Sequence, residues 1–107
     1  MIKADQINEI LAQYKKHGWI LRRVLLSDAL KKSLTQKDSA MFETAEIVPS
    51  EIDAAWFSRP SKSGEAWELR RLSENPYALF EIFSDEDEEE VREEAKHEIE
   101  ARLAKTS

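Results

Sequence analysis

Three short apolar segments in the second half of the chain constrain its fold more than any other feature. The segments IDAAWFSR, EAWELRRL and YALFEIF occupy residues 52–59, 65–72 and 77–83 and are rich in large apolar side chains. Only the short polar stretches PSKSG and SENP separate them. Connections this short join antiparallel neighbours, so this region predicts a meander of antiparallel strands. The shorter AEIV, which stops at Pro49, opens the strand-forming region, and WILRRVLLS at 19–27 predicts an earlier strand.

Two long segments and one short segment have helical patterns instead. Residues 4–17 carry one apolar stripe with a period of 3.6 residues, and Gly18 is well placed to end that helix. Residues 85–105 predict a second long helix with Ser84 as its cap, and SDALKKSL, residues 27–34, predicts a short helix. The two long stripes consist of Ile7, Ile10, Leu11 and Tyr14, and of Val91, Ala95, Ile99 and Leu103.

The order of these elements, α-β-α-β-β-β-α, predicts an α+β fold. We expect a two-layer sandwich in which an antiparallel sheet of about four strands carries the N- and C-terminal helices on one face. A chain of 107 residues is near the commonest size for one hydrophobic core, so we expect residues 1–107 to form a single domain.

Composition and motifs exclude several classes of function. The chain has no cysteine, which excludes disulfides, thiolate zinc sites and thiol catalysis. No apolar run is long enough for a membrane span, so we expect a cytoplasmic protein. Asp85, Asp87 and Glu89 have the spacing of a calcium loop, but Glu90 and Lys96 occupy the positions that require Gly and Glu. We therefore expect no metal and no cofactor, and the absence of a catalytic motif favours a non-catalytic role.

All of the excess negative charge lies at the C-terminal end. Residues 1–84 contain twelve acids and twelve bases, whereas residues 85–107 contain ten acids and four bases. Acids are favourable in the first turn of a helix, so a solvated helix face explains most of this pattern. Six successive acids exceed what the helix dipole requires, and they predict a contact surface for a basic protein partner. Its residues are Glu86, Glu88, Glu89 and Glu90.

The strands carry more apolar surface than one layer of helices can cover. In YALFEIF, the face formed by Ala78, Phe80 and Ile82 is wholly apolar and is predicted to be core. The opposite face then needs another cover, which is the segment 28–43, a second copy in a homodimer, or a different protein. This opposite face is our second candidate protein-contact surface, and its residues are Tyr77, Leu79 and Phe83.

Two alternative functions remain open at this stage. A nucleic-acid-associated module would use the Arg-bearing strands and the loop 59–65, with Arg59, Lys62 and Arg70 as contacts. The number of interleaved acids disfavours nucleic acid, and the pairs Arg22–Arg23 and Arg70–Arg71 are each expected to place one arginine on each sheet face. The other alternative is a small-molecule or catalytic site between the sheet and residues 28–43. The main prediction is a protein–protein interaction module.

Overall fold

The computed structural model describes residues 1–106, which form a five-stranded sheet and four α-helices. A 3-10 turn, Ala40–Phe42, follows α3. The helices are α1 (Ala4–Lys16), α2 (Asp28–Ser33), α3 (Gln36–Ser39) and α4 (Glu89–Lys105). The strands are β1 (Ile20–Leu26), β2 (Glu46–Pro49), β3 (Ala54–Ser61), β4 (Gly64–Arg71) and β5 (Ala78–Ser84).

The sheet has the order β2-β1-β3-β4-β5, and the α+β class predicted from the sequence is confirmed. The prediction of about four antiparallel strands is slightly wrong, because β2 is a fifth strand and pairs parallel to β1. The chain between these two strands contains α2 and α3, and such a crossover is what a parallel pair requires. The other three pairs are antiparallel, and β3, β4 and β5 form the predicted meander.

The two long helices lie on opposite faces of the sheet, so the prediction that both pack on one face is wrong. Strand β3 explains the difference, because its side chains are buried on both faces. Ala55 and Phe57 belong to one apolar cluster, and Ala54 and Trp56 belong to the other. A strand that is apolar on both sides needs cover on both sides. The first cluster packs against α1 and the segment 28–45, and the second packs against Ile99 and Leu103 of α4.

A β-bulge in β1 places two arginines on the same face. Leu21 pairs with Phe57 and Arg23 pairs with Trp56, so Arg22 is the extra residue. Arg22 Nε donates to Ser58 Oγ at 2.8 Å, and Arg23 reaches Glu93 of α4 at 3.5 Å. Both arginines therefore lie on the α4 side. The predicted split of one arginine per face is wrong for this pair, because the bulge interrupts the alternation.

The β3–β4 connection is a two-residue hairpin turn at Lys62 and Ser63, with Ser61 paired to Gly64. The loop predicted over residues 59–65 is thus almost entirely strand. Gly64 has φ +150, and a Cβ atom at this position would overlap the carbonyl oxygen of Phe83 in β5. Only glycine lets β5 approach this closely.

Candidate protein-contact surface

Strand β5 exposes to solvent the face that was predicted to be core. Phe80 and Ile82 are 51% and 47% exposed, whereas Phe83 on the opposite face is buried and Leu79 packs in the α4 cluster. The assignment of Ala78, Phe80 and Ile82 to the core is therefore wrong. The reason is that α4 covers β4 and β5 on one side, while the helical cover on the other side lies over β1 and β3. The predicted alternation of β5 is confirmed, but alternation does not determine which face a helix covers.

The surface on this side of β5, which we call the open face, consists of the partly buried Trp19 and the exposed Arg59, Phe80 and Ile82. The Trp19 and Phe80 rings meet edge to face with their centroids 6.5 Å apart. The Arg59 guanidinium lies 4.5 Å from the Trp19 ring centroid and donates to the carbonyl oxygen of His17 at 3.0 Å. These contacts hold the rim of the open face in one arrangement and leave Phe80 and Ile82 exposed beside it.

Tyr14 and Glu68 form the boundary between the open face and the buried core. The Tyr14 ring stacks on Phe57 with the centroids 4.0 Å apart, and the Tyr14 hydroxyl donates to the Glu68 carboxylate. Burial, followed by this hydrogen bond, raises the pKa of Tyr14 well above its usual range. The phenol therefore stays protonated at neutral pH and acts as a hydrogen-bond donor.

The outer edge of β5 has backbone groups without a strand partner. Arg71 N donates to the Tyr77 carbonyl oxygen at 2.9 Å, so the main-chain groups of Tyr77 point toward β4. Hydrogen-bonding direction alternates along a strand, so the groups of Ala78, Phe80 and Ile82 point outward. Within residues 1–106, no strand pairs with this edge. The opposite edge of the sheet, β2, has only four residues and ends in Pro49.

The acidic segment, residues 85–90, directly follows β5 and is exposed throughout. The predicted helix over 85–105 begins later than expected, because residues before Glu89 form a turn in which Ser84 N donates to Asp87 Oδ2 at 2.9 Å. In the described part of the chain, no base forms an ion pair with the four predicted contact residues. These are Glu86, Glu88, Glu89 and Glu90, and their charges are free to act on a partner.

Comparison with known proteins identifies no relative of this chain. No protein-family model, curated protein or solved structure matches this chain. No helix in residues 1–106 is long and apolar enough to cross a membrane, and the same residues contain no metal-binding cluster of His, Asp and Glu. The candidate function therefore rests on the geometry of the chain itself.

The residues predicted for nucleic-acid binding are partly brought together. The register places Arg59 opposite Ala66 and Arg70 opposite Ala78, on the same side of the sheet as Phe80. Lys62 lies apart, at the tip of the hairpin. The guanidinium of Arg70 is engaged, since it donates to the Arg71 carbonyl oxygen.

The predicted small-molecule region corresponds to a cleft of about 390 Å³ between the sheet and the chain around residue 43. Its wall includes Leu21, Met41 and Phe57, and Lys15 and Glu43 stand at its rim with their charged groups 3.9 Å apart. The cleft is at the small end of ligand-site volumes. A ligand for it stays a prediction.

Tyr77, Leu79 and Phe83, the other predicted contact residues, have separate environments. The Phe83 and Trp67 rings meet edge to face, with their centroids 6.5 Å apart, on the α4 side of the sheet. Tyr77 precedes β5, is partly exposed, and has the Arg71 guanidinium 5.7 Å from its ring centroid. The exposed apolar surface was thus predicted on the correct strand but on the opposite face, because the sequence alone does not show which face α4 covers.

Proposed function

We propose that this protein acts by protein–protein contact through the open face and the outer edge of β5. One observation carries the proposal: Phe80 and Ile82 are about half exposed on a seven-residue edge strand whose outward backbone groups lack a partner strand. Large apolar side chains beside a free strand edge are an association site unless the fold protects them.

Most of the usual protections of an edge strand are absent from β5. Its sequence, ALFEIFS, contains no proline and no lysine, and its single charge is Glu81. The other edge strand is both short and ended by Pro49. An extended segment that pairs with β5 gains main-chain hydrogen bonds at the edge and apolar contacts on the open face. The asymmetry between the two edges supports β5 as the contact strand.

We propose the acidic segment as a second, separate contact surface, which steers the approach of a basic protein. It begins where β5 ends, and Glu86, Glu88, Glu89 and Glu90 are exposed. Such charges change association rates more than final affinity, and salt screens their effect. We propose the cytoplasm as the location, since a chain without cysteine needs no oxidising compartment in order to fold.

Site-specific photo-crosslinking in living cells that express the protein tests the proposal. A photoreactive phenylalanine analogue at position 80 is expected to give protein adducts, because this position lies at the centre of the contact. The matched control carries the analogue at Ile47, which is also exposed and apolar but lies on the protected β2 edge. Absence of adducts from position 80, or equal adducts from both positions, contradicts the proposal.

Single-stranded nucleic acid is a second candidate, favoured by one observation. Arg59 and Arg70 share a sheet face with the exposed Phe80 ring, an arrangement that suits base stacking beside phosphate contacts. The net charge of −6 opposes it. Fluorescence anisotropy with labelled single-stranded RNA at low salt separates the two candidates. Binding that Phe80→Ala and Arg59→Ala both weaken supports this second candidate, and absence of binding removes it.

A further inference from the structure

We infer that the partner of β5 is a second copy of this chain, paired antiparallel through β5 so that two five-stranded sheets become one sheet of ten strands. The two-fold axis passes beside Phe80. This inference rests on the proposed function, because it uses the same strand edge and names the partner. It follows from the hydrogen-bonding direction, the side-chain pairs and the charges on β5.

Hydrogen-bonding direction limits the possible registers. The outward groups belong to Ala78, Phe80 and Ile82, as the bond from Arg71 N to the Tyr77 carbonyl oxygen establishes. A two-fold axis perpendicular to the sheet keeps each face continuous, so residues that share a face pair with one another. The registers that use most of the strand are therefore centred on Leu79, Phe80 or Glu81.

The register centred on Phe80 gives favourable pairs on both faces. On the open face, Phe80 meets its own copy, and Ala78 meets Ile82 twice. On the α4 face, Tyr77 and Phe83 form two aromatic pairs, and the remaining two pairs are Leu79 with Glu81. Cross-strand aromatic and aliphatic pairs stabilise the pairing of two strands. No like charges stand opposite each other in this register.

The two neighbouring registers each contain a defect. Centring on Glu81 places the two Glu81 carboxylates directly opposite each other in a closely spaced pair, which is destabilising. Centring on Leu79 pairs Ile82 with Pro76, which has no N–H to donate to the new ladder. The sequence of β5 and its flanks thus selects the Phe80 register.

The acidic segments select antiparallel over parallel pairing. In the Phe80 register the two Ser84 residues are offset by eight positions, or about 27 Å along the strands. That distance exceeds the screening length of about 8–10 Å in physiological salt, so the two acidic segments do not repel appreciably. Parallel pairing would set residues 85–90 of the two copies side by side, with six acids on each.

Sedimentation velocity of the full chain over a range of concentrations tests whether the partner of β5 is a second copy. We expect a species with twice the mass of one chain whose population rises with concentration. Phe80→Glu places two carboxylates at the axis and is expected to weaken the dimer at least tenfold, while the control Ile47→Glu leaves it unchanged. Circular dichroism checks that both variants fold. A monomer at every concentration, or equal weakening by the two variants, overturns the inference.

Single cysteines test the register, since the chain has none of its own. In the Phe80 register, the Cα atoms of residue 78 and residue 82 of the other copy are about 5.5 Å apart, within disulfide range. Residue 78 of one copy is about 14 Å from residue 78 of the other. A mixture of Ala78→Cys and Ile82→Cys chains is therefore expected to cross-link on oxidation, and neither variant alone. Equal cross-linking of the single variants overturns this register.

Neutralising the acidic segment tests the direction of pairing. Replacing Glu86, Glu88, Glu89 and Glu90 together by Gln is expected to change the dimer dissociation constant less than about threefold, because the segments lie far apart in the antiparallel pair. A dimer that becomes at least tenfold tighter contradicts antiparallel pairing.

The proposed function and this inference can fail separately. A strict monomer whose position 80 still cross-links to a different protein overturns the second copy and leaves the protein-contact function standing. A strict monomer without adducts at position 80 overturns both.

Discussion

The ammonium nitrogen of Lys96 lies 3.6 Å from the centroid of the Trp67 ring, on the face of the sheet that α4 covers. Lys96 is only 4% exposed, and its second partner is the Glu93 carboxylate at 3.4 Å. Glu93 in turn contacts Arg23, the residue after the bulge, at 3.5 Å. The sheet and α4 are thus joined by one partly buried charged cluster.

Replacing Lys96 by Met is expected to change the free energy of unfolding by less than about 1 kcal/mol. Burying a charge costs much of what its partners return, and Glu93 keeps Arg23 as a partner when the lysine is removed. The Met side chain also keeps the packing and contacts the indole through sulfur. Urea unfolding followed by tryptophan fluorescence measures the change. Destabilisation by more than about 3 kcal/mol would show that the ion pair itself holds α4 in place.

Glu93 makes the stability of the fold decrease at low pH. Burial acts to raise the pKa of Glu93, but the charges of Lys96 and Arg23 outweigh it and hold that pKa below its usual value. The ionised form is therefore favoured in the folded state, and its contribution is present above pH 4.5 and lost as the pH falls through the lowered pKa. We expect Glu93→Gln to be less stable than the parent at pH 6 and to approach it at pH 3. A constant difference across that range, in urea unfolding, would contradict this assignment.

Tyr14 makes the stability of the fold decrease at high pH, whereas Glu93 makes it decrease at low pH. The folded-state pKa of Tyr14 lies above the unfolded value of 10, so the folded state keeps a proton that the unfolded state loses. Stability then falls as the pH rises above 10, by at most about 1.4 kcal/mol per pH unit and by less because the hydroxyl is partly exposed to solvent. Tyr14→Phe is expected to flatten the decline between pH 10 and 11. Parallel declines in the two proteins would contradict the prediction.

The two glycines provide a matched pair of substitutions. Gly64→Ala is expected to destabilise the fold by about 2–4 kcal/mol, because its methyl group would overlap the backbone of Phe83. Gly18 also has positive φ, +84, but nothing lies within 4 Å of the new methyl group. Gly18→Ala should therefore cost only about 1 kcal/mol of backbone strain. Thermal unfolding compares the two variants, and equal losses would contradict the close β4–β5 approach.

The helices could be predicted where their apolar stripe has a clear period. Ile7, Ile10, Leu11 and Tyr14 all pack in the cluster beneath α1, as the stripe predicts. In α4 the predicted residues are four apart, and such a stripe rotates around the axis. Ile99 and Leu103 are buried for this reason, whereas Val91, at the other end of the stripe, is exposed.

The open face could not be predicted, because strand alternation identifies two faces without assigning a cover to either. In β5 both faces carry large apolar side chains, and the choice depends on where α4 crosses the sheet. The bulge at Arg22 and the parallel pairing of β2 depend in the same way on partners distant in sequence. Local patterns therefore predict the strands, while long-range packing decides which of their residues meet solvent.

Amide hydrogen exchange at Phe80 and Ile82 tests the pairing of β5 with a second copy most directly. Their N–H groups point outward, whereas those of Leu79 and Glu81 point toward β4 and serve as internal controls. If β5 pairs with a second copy, exchange at Phe80 and Ile82 will slow as the protein concentration rises, and the two controls will stay protected throughout. Exchange at Phe80 and Ile82 that is fast and independent of concentration would contradict the pairing of two copies through β5.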